Sequence, residues 1–375
     1  MQKDLGWLAD RLVVEGDFVS AVPYGSGHIN QTYAATYATP VPGSRPATRR
    51  YIHQRVNENV FHDPPALMSN MARVTQHVRG KLEADGVDQI DRRVLTLVPT
   101  RDGADYLVDD SGGYWRTFLF IEDATTYDVV ETPHQAHEVA RAFGEFQHQL
   151  IDLGGPDLVA TIPGFHDTRG RLRAFEKAVE RDGFNRAAGV AEEIGRFEAY
   201  APIAGALLDL QDRGDIPLRV AHNDTKINNV MIDNDTGEAA CVIDLDTVMP
   251  GLALDDFGDL VRTSTCFAKE DDRDLSKVVV EMPIFESLVR GYLSSAGDFL
   301  DPAEVDNLVL AGKLMTFECG LRFLTDHLEG DVYFRIHHEA HNLDRARVQL
   351  ALVDSIEAHE DEMQRAVELA LEAVT

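Results

Sequence analysis

The sequence predicts an α+β protein of two lobes, a small one built on an antiparallel sheet and a larger, mainly helical one. At 375 residues the chain has room for about two to three domains of roughly 150 residues each. Its first third carries the aromatic and β-branched residues of strands, separated by turn residues. After Glu122-Asp123 the texture changes to the spacing of amphipathic helices. The expected division is a sheet-rich lobe over residues 1–122 and a mainly helical lobe over residues 123–375.

The elements follow in order. Strands are expected at 18–24, 31–37, 50–55, 94–98 and 114–121. Residues 40–47 (PVPGSRPA) form a loop between two of them. Asp63-Pro64-Pro65, an acidic and proline-rich start, precedes Leu67, Met68, Met71, Val74 and Val78, whose spacing makes a helix packed on the sheet. Further helices are expected at 133–152, 168–184 and 189–212. Strands return at 218–221, 230–233 and 240–244, and the pattern is helical again from Asp255 onward.

Composition narrows the function. Apolar residues at 44% and charged residues at 26% exclude a fibrous or broadly disordered chain. A net charge of −29 repels phosphate backbones and anionic lipid headgroups, so neither nucleic acid nor a membrane is an expected partner. The same field means that a phosphate-bearing ligand needs local cations or a divalent metal. Cys241, Cys266 and Cys319 are too few and too scattered for a disulfide framework, which suits a reducing compartment. The charges in MQKDLGWLADRLVVE interrupt the apolar core that a signal peptide requires. No stretch reaches the roughly 18 apolar residues of a spanning helix, and a cytoplasmic location is expected. Oligomeric state is not readable from these features.

The segment that carries chemistry is RVAHNDTKINNVMIDNDTGEAACVIDLD, from Arg219 to Asp246. A strand delivers the polar run His222-Asn223-Asp224-Thr225-Lys226-Ile227-Asn228-Asn229, which no ordinary turn requires. Two short strands then flank the turn Asp233-Asn234-Asp235-Thr236-Gly237, so Asn229 and Asp244 meet at the open end of a hairpin, beside Asp224. Such a set suits phosphoryl transfer, where catalysis is positioning plus charge neutralisation. Asp224 is the expected base for an attacking hydroxyl, and Lys226 reaches the transferring phosphoryl. Asn229 and Asp244 offer hard oxygen ligands to Mg²⁺. His222 braces the loop. Upstream, Tyr24-Gly25-Ser26-Gly27-His28-Ile29-Asn30 joins two strands, and Gly25 and Gly27 let backbone N–H groups approach phosphates.

The run H-N-D-x-K-x-N-N, paired with I-D-L-D and lying downstream of G-x-G and the stretch Phe120-Ile121-Glu122, resembles the aminoglycoside phosphotransferase and choline kinase superfamily of protein-kinase-like small-molecule kinases. Within it the chain looks most like the branch that phosphorylates the anomeric hydroxyl of N-acetylhexosamines (GlcNAc or GalNAc) with ATP and Mg²⁺. PYGSGHINQTY, DFGDLVR and FECGLRFLTDHLEGDVYF carry that likeness. The resemblance implies a protein-kinase-like two-lobe fold, Asp224 as catalytic Asp, and Asn229 and Asp244 as the metal pair. It also implies sugar contacts from His28, Arg322 and Tyr333, and adenine held by the hinge backbone around Phe120, Ile121 and Glu122.

One departure concerns the nucleotide phosphates. The superfamily commonly carries a Lys on its third strand, where this chain reads Arg50-Tyr51-Ile52-His53-Gln54-Arg55, so Arg55 or Gln54 is the expected substitute. The following helix offers Asn70 and Met71 where a partner Glu would stand. Two other functions remain in view: a kinase of aminoglycosides, choline or other amines, which shares every catalytic residue, and a non-catalytic nucleotide-binding regulator, motivated by the missing third-strand Lys. Blander readings cover the rest. Asp255 or Asp256 caps a helix or braces the catalytic loop. Residues 233–237 are a turn rather than a calcium loop. His337 to His341 lack zincin spacing and form a solvated face.

Overall fold

The computed structural model describes residues 5–25, 27, 29–42 and 45–374. Its N-terminal part is a five-stranded antiparallel sheet in the order β1-β2-β3-β5-β4. The strands are β1 (Asp17–Pro23), β2 (Gln31–Thr39), β3 (Ala47–Arg55), β4 (Leu107–Val108) and β5 (Tyr114–Leu119). In-register pairing of β3 with β5 sets Gln54 opposite Arg116. On one face Tyr37, Tyr51 and Trp115 pack with Leu5, Leu8 and Leu12. Against the other lies α1 (Pro64–Ala84), started by Asp63, whose carboxylate accepts the Ala66 N–H at 3.1 Å. Met68, Met71, Val74 and Val78 of α1 join Phe118 of the sheet and Phe146, Leu245 and Val248 of the C-terminal part in one apolar cluster.

Residues 120–122 connect β5 to β6 (Ala124–Thr125), which pairs with β8 (Val230–Asp233), itself paired with β9 (Ala239–Val242). The second small sheet is β7 (Arg219–Ala221) with β10 (Met249–Gly251). Around these ribbons pack α2 (Pro133–Leu150), α3 (Thr168–Arg181), α4 (Ala191–Tyr200), α5 (Ala206–Arg213), α6 (Ala253–Ser264), α7 (Met282–Ala296), α8 (Pro302–Asp306), α9 (Leu308–Leu328), α10 (His341–Ala358) and α11 (Glu360–Val374). Their shared core includes Phe143, Phe257, Phe285, Tyr292, Phe317 and Leu321. No described helix is long and apolar enough to cross a membrane.

Three expected elements differ. Residues 94–98 are irregular: Val98 N–H bonds Thr117 O at 2.8 Å and Thr96 O accepts from Leu119, but pairing reduces to a bridge at Leu97, and the edge strand is β4. The apolar signal there reflects burial of Val94 and Val98 rather than a ladder. The long helix over 189–212 is broken into α4 and α5, with Pro202, which lacks an N–H donor, between them. The strand β10 was hidden by its Pro250-Gly251 pair, which reads as a turn.

Candidate active site between the sheet and the helices

The cleft between the two parts is lined by Gly25 and Gly27, by Phe120 and Ile121, and across from them by Lys226 and Asp244. Its floor follows from the loop after β7. After β7 the chain turns sharply at Asn223, with φ at 63°. The turn is held by Asp256 near the start of α6, whose carboxylate accepts the N–H groups of His222 at 2.9 Å and Asn223 at 2.7 Å. Gln147 of α2 donates to the same carboxylate at 2.6 Å. His222 is tied by its Nε2 to Ile243 O at 2.9 Å, linking the loop to the hairpin.

Asp224 projects from this loop with Lys226 Nζ 2.9 Å from its Oδ2. Burial alone would raise its carboxyl, but Lys226, His222 and the Asn229 amide outweigh burial and hold it below the usual range. It is therefore ionised and able to accept a proton. Asn229 donates its Nδ2 to Asp224 O at 2.8 Å and Oδ2 at 2.9 Å, which leaves its amide oxygen for another partner. The hairpin closes as expected: Ile243 N–H bonds Asn229 O at 2.8 Å, and Asp244 follows in a left-handed conformation with φ at 59°.

Asp244 opens onto the cleft, and among the described residues no donor is bonded to its carboxylate. The surrounding protein walls desolvate it, and with Asp246 and Asp224 nearby its carboxyl is pushed up to about 6. Crowded carboxylates beside a free amide oxygen are the donor set a hard divalent cation takes, so these residues fit Mg²⁺.

A second cluster stands beside the loop. His166 reaches Asn223 O with Nε2 at 2.9 Å and Glu318 of α9 with Nδ1 at 2.9 Å. Next to it, the Arg322 guanidinium lies 5.5 Å from the Phe165 ring centre, 5.9 Å from that of Tyr333 and 5.5 Å from that of Phe334. Arg171 of α3 donates to Phe165 O at 2.9 Å, and its buried Nε has no hydrogen-bond partner. Burial and then the charge of Arg322 lower the pKa of Arg171. Tyr333 is 67% exposed, so it is not core packing.

The structure thus gathers Asp224, Lys226, Asn229 and Asp244 with Gly25, Gly27, Phe120 and Ile121, and sets Arg322 beside Tyr333. His28 lies outside the described residues. One expected nucleotide contact is corrected. Arg55 sits away from this cleft, 3.9 Å from Asp109 and near Trp7 and Arg11, because strand alternation puts it on the opposite face from Gln54. At the hinge the Glu122 side chain pairs with Arg50 and the Glu122 carbonyl accepts from Arg92 at 3.2 Å, which leaves the expected backbone contact of this stretch as it stood. The stretch from His337 to His341 is not a solvated face throughout: His341 is buried and its Nε2 lies 3.2 Å from Asp271. The His341 Nδ1 accepts the His337 N–H, so Nε2 carries the proton toward that carboxylate.

Sequence reasoning missed Arg116, Asp246, His166 and Arg171. Arg116 was detectable as a lone cation inside the apolar strand YWRTFL, whereas the others need tertiary proximity.

The model of the phosphotransferase enzyme family matches residues 20–281. An aminoglycoside phosphotransferase from Alicyclobacillus acidocaldarius superposes with a TM-score of 0.60 at 12% identity, covering 96% of each chain. A choline kinase from Cryptosporidium parvum gives 0.54 at 15% identity, over 98% of this chain and 95% of that one. A spectinomycin phosphotransferase in complex with ADP and spectinomycin gives 0.52 at 12% identity, over 96% and 98%. At these identities the likeness is one of fold.

Proposed function

This chain belongs to the phosphotransferase enzyme family, and from that premise we propose that it is an ATP-dependent N-acetylhexosamine 1-kinase, which phosphorylates the anomeric hydroxyl of GlcNAc or GalNAc. Asp224 takes the hydroxyl proton, and Lys226, now paired with it at 2.9 Å, turns to the transferring phosphoryl. Asn229 and Asp244 would hold Mg²⁺, which would supply charge neutralisation to the phosphates. The glycine turn covers the phosphates. Adenine lies against the hinge, where the Phe120 N–H and the Glu122 carbonyl are already taken and the groups between them read its edge.

The observation that carries the substrate class is the pair Arg171 and Arg322: Arg322 lies over the rings of Phe165, Tyr333 and Phe334, Arg171 bonds Phe165 O, and the next residue, His166, bonds Asn223 O just before Asp224. Two guanidiniums repel the ammonium groups of an aminoglycoside or choline, while their N–H groups suit the hydroxyl and acyl oxygens of a neutral sugar. A panel of N-acetylhexosamines, plain hexoses, aminoglycosides and choline, incubated with ATP and Mg²⁺, tests this. GlcNAc or GalNAc should give a 1-phosphate, and Asp224→Asn should lose about 10²- to 10⁴-fold in turnover while still binding ADP. An amine as the preferred acceptor sinks the sugar reading, and ADP binding with no transfer to any acceptor favours a regulator.

A further inference from the structure

The geometry points to Arg116, on the middle strand β5, as the residue that grips the nucleotide phosphates from the sheet side, with Gln54 and Asp246 fixing its orientation. This rests on the nucleotide site proposed above and goes beyond it in supplying the missing cation. A triphosphate entering a chain of net charge −29 needs cations at close range. The described cleft lining offers two, Lys226 and Arg116. Lys226 stands beside Asp224, at the end where the acceptor is attacked. Arg116 belongs to the sheet, on the side of Gly25 and Gly27.

The Arg116 side chain is only 2% exposed and is held on three sides. Its Nε donates to Gln54 Oε1 at 2.7 Å, and a terminal nitrogen donates to the same oxygen. The other terminal nitrogen lies 2.5 Å from Asp246 Oδ1 and 3.8 Å from the sulfur of Met71. Asp246 in turn accepts from Asn30, at the end of the glycine turn, at 2.6 Å. Of the five N–H groups of a guanidinium these four contacts take about four, leaving about one, on the nitrogen that faces Gln54, for a phosphate oxygen. Because Gln54 is neutral, Arg116 is balanced by Asp246 alone among the described residues, and a second carboxylate at position 54 would turn the group net negative toward a phosphate. Met71 explains why α1 offers no counter-ion and why Asp246 provides it from the other part of the fold.

The test is calorimetric and uses no acceptor, so it is independent of the sugar assignment. Adenosine, AMP and ADP are titrated into the full-length protein and into Arg116→Met and Gln54→Glu. The wild type should gain affinity from adenosine to ADP. Both variants should lose about 10- to 100-fold in ADP affinity with adenosine binding unchanged. Should Arg116→Met fail to fold because Asp246 is left unpaired, Gln54→Glu keeps the ion pair and carries the test alone. An undiminished gain from the phosphates in a folded variant overturns the assignment to Arg116. A wild type that binds no adenine ligand instead overturns the nucleotide site itself.

Discussion

His166 shows how one side chain joins helix α9 to the loop that carries Asp224. It touches Glu318, Asn223 O and the field of Asp255. Burial alone would lower its pKa, but the charge and hydrogen bond of Glu318 raise it to about 9. The Glu318 carboxyl is held below its usual range by the same pairing against the opposing effect of burial, so the interaction is counted once. A histidine raised in the fold stabilises fully below its unfolded value near 6.5, and that contribution is lost as pH climbs through about 9. Asp255, pushed up to about 7 chiefly by burial, adds an earlier loss of stability as pH rises from about 4 to 7. Urea unfolding at pH 6.5 and 9.5 should therefore differ by at most about 3 kcal/mol more in wild type than in His166→Gln. Equal pH dependence in the two proteins would show that His166 is neutral in the fold. None of this was legible in the sequence, because His166, Asn223 and Glu318 meet only through the packing of α9 against α3 and the loop.

At the scale of elements, short-range geometry was the readable part. The meeting of Asn229 and Asp244 follows from one hairpin, where a two-strand ribbon fixes its own open end. The start of α1 was readable because Asp63 and two prolines make a local cap. Contacts between distant strands were not: Gln54 faces Arg116 only through the β3–β5 register, which the misplaced strand at 94–98 obscured. The role of Asp256 lies between these cases. An acidic residue in the first turn of a helix is a common cap, yet this one accepts from the backbone of a different segment. In Asp256→Asn one oxygen becomes an amine facing an N–H, leaving a buried donor unsatisfied. We expect a stability loss of about 1 to 3 kcal/mol together with a drop in kcat, since the turn at Asn223 aims Asp224. Chemical denaturation read beside steady-state rates checks it; a stability loss with kcat intact would make Asp256 a support of the fold only.

For the whole molecule, the distribution of charge sets two opposing effects on the capture of ATP. The overall −29 repels the nucleotide at a distance, over a range that salt shortens to about 10 Å at 0.1 M. In the proposed site Arg116 and Lys226 would attract it only after entry, in a cleft where ions screen poorly. Added salt should then weaken the repulsion more than the attraction. With free Mg²⁺ held constant, kcat/KM for ATP is expected to rise about 2- to 5-fold from 10 to 150 mM KCl. The KM for an uncharged sugar should stay nearly flat, because a neutral acceptor does not feel the long-range field. A fall in kcat/KM for ATP across that range would show that attraction by cations at the cleft mouth outweighs the field of the acidic surface.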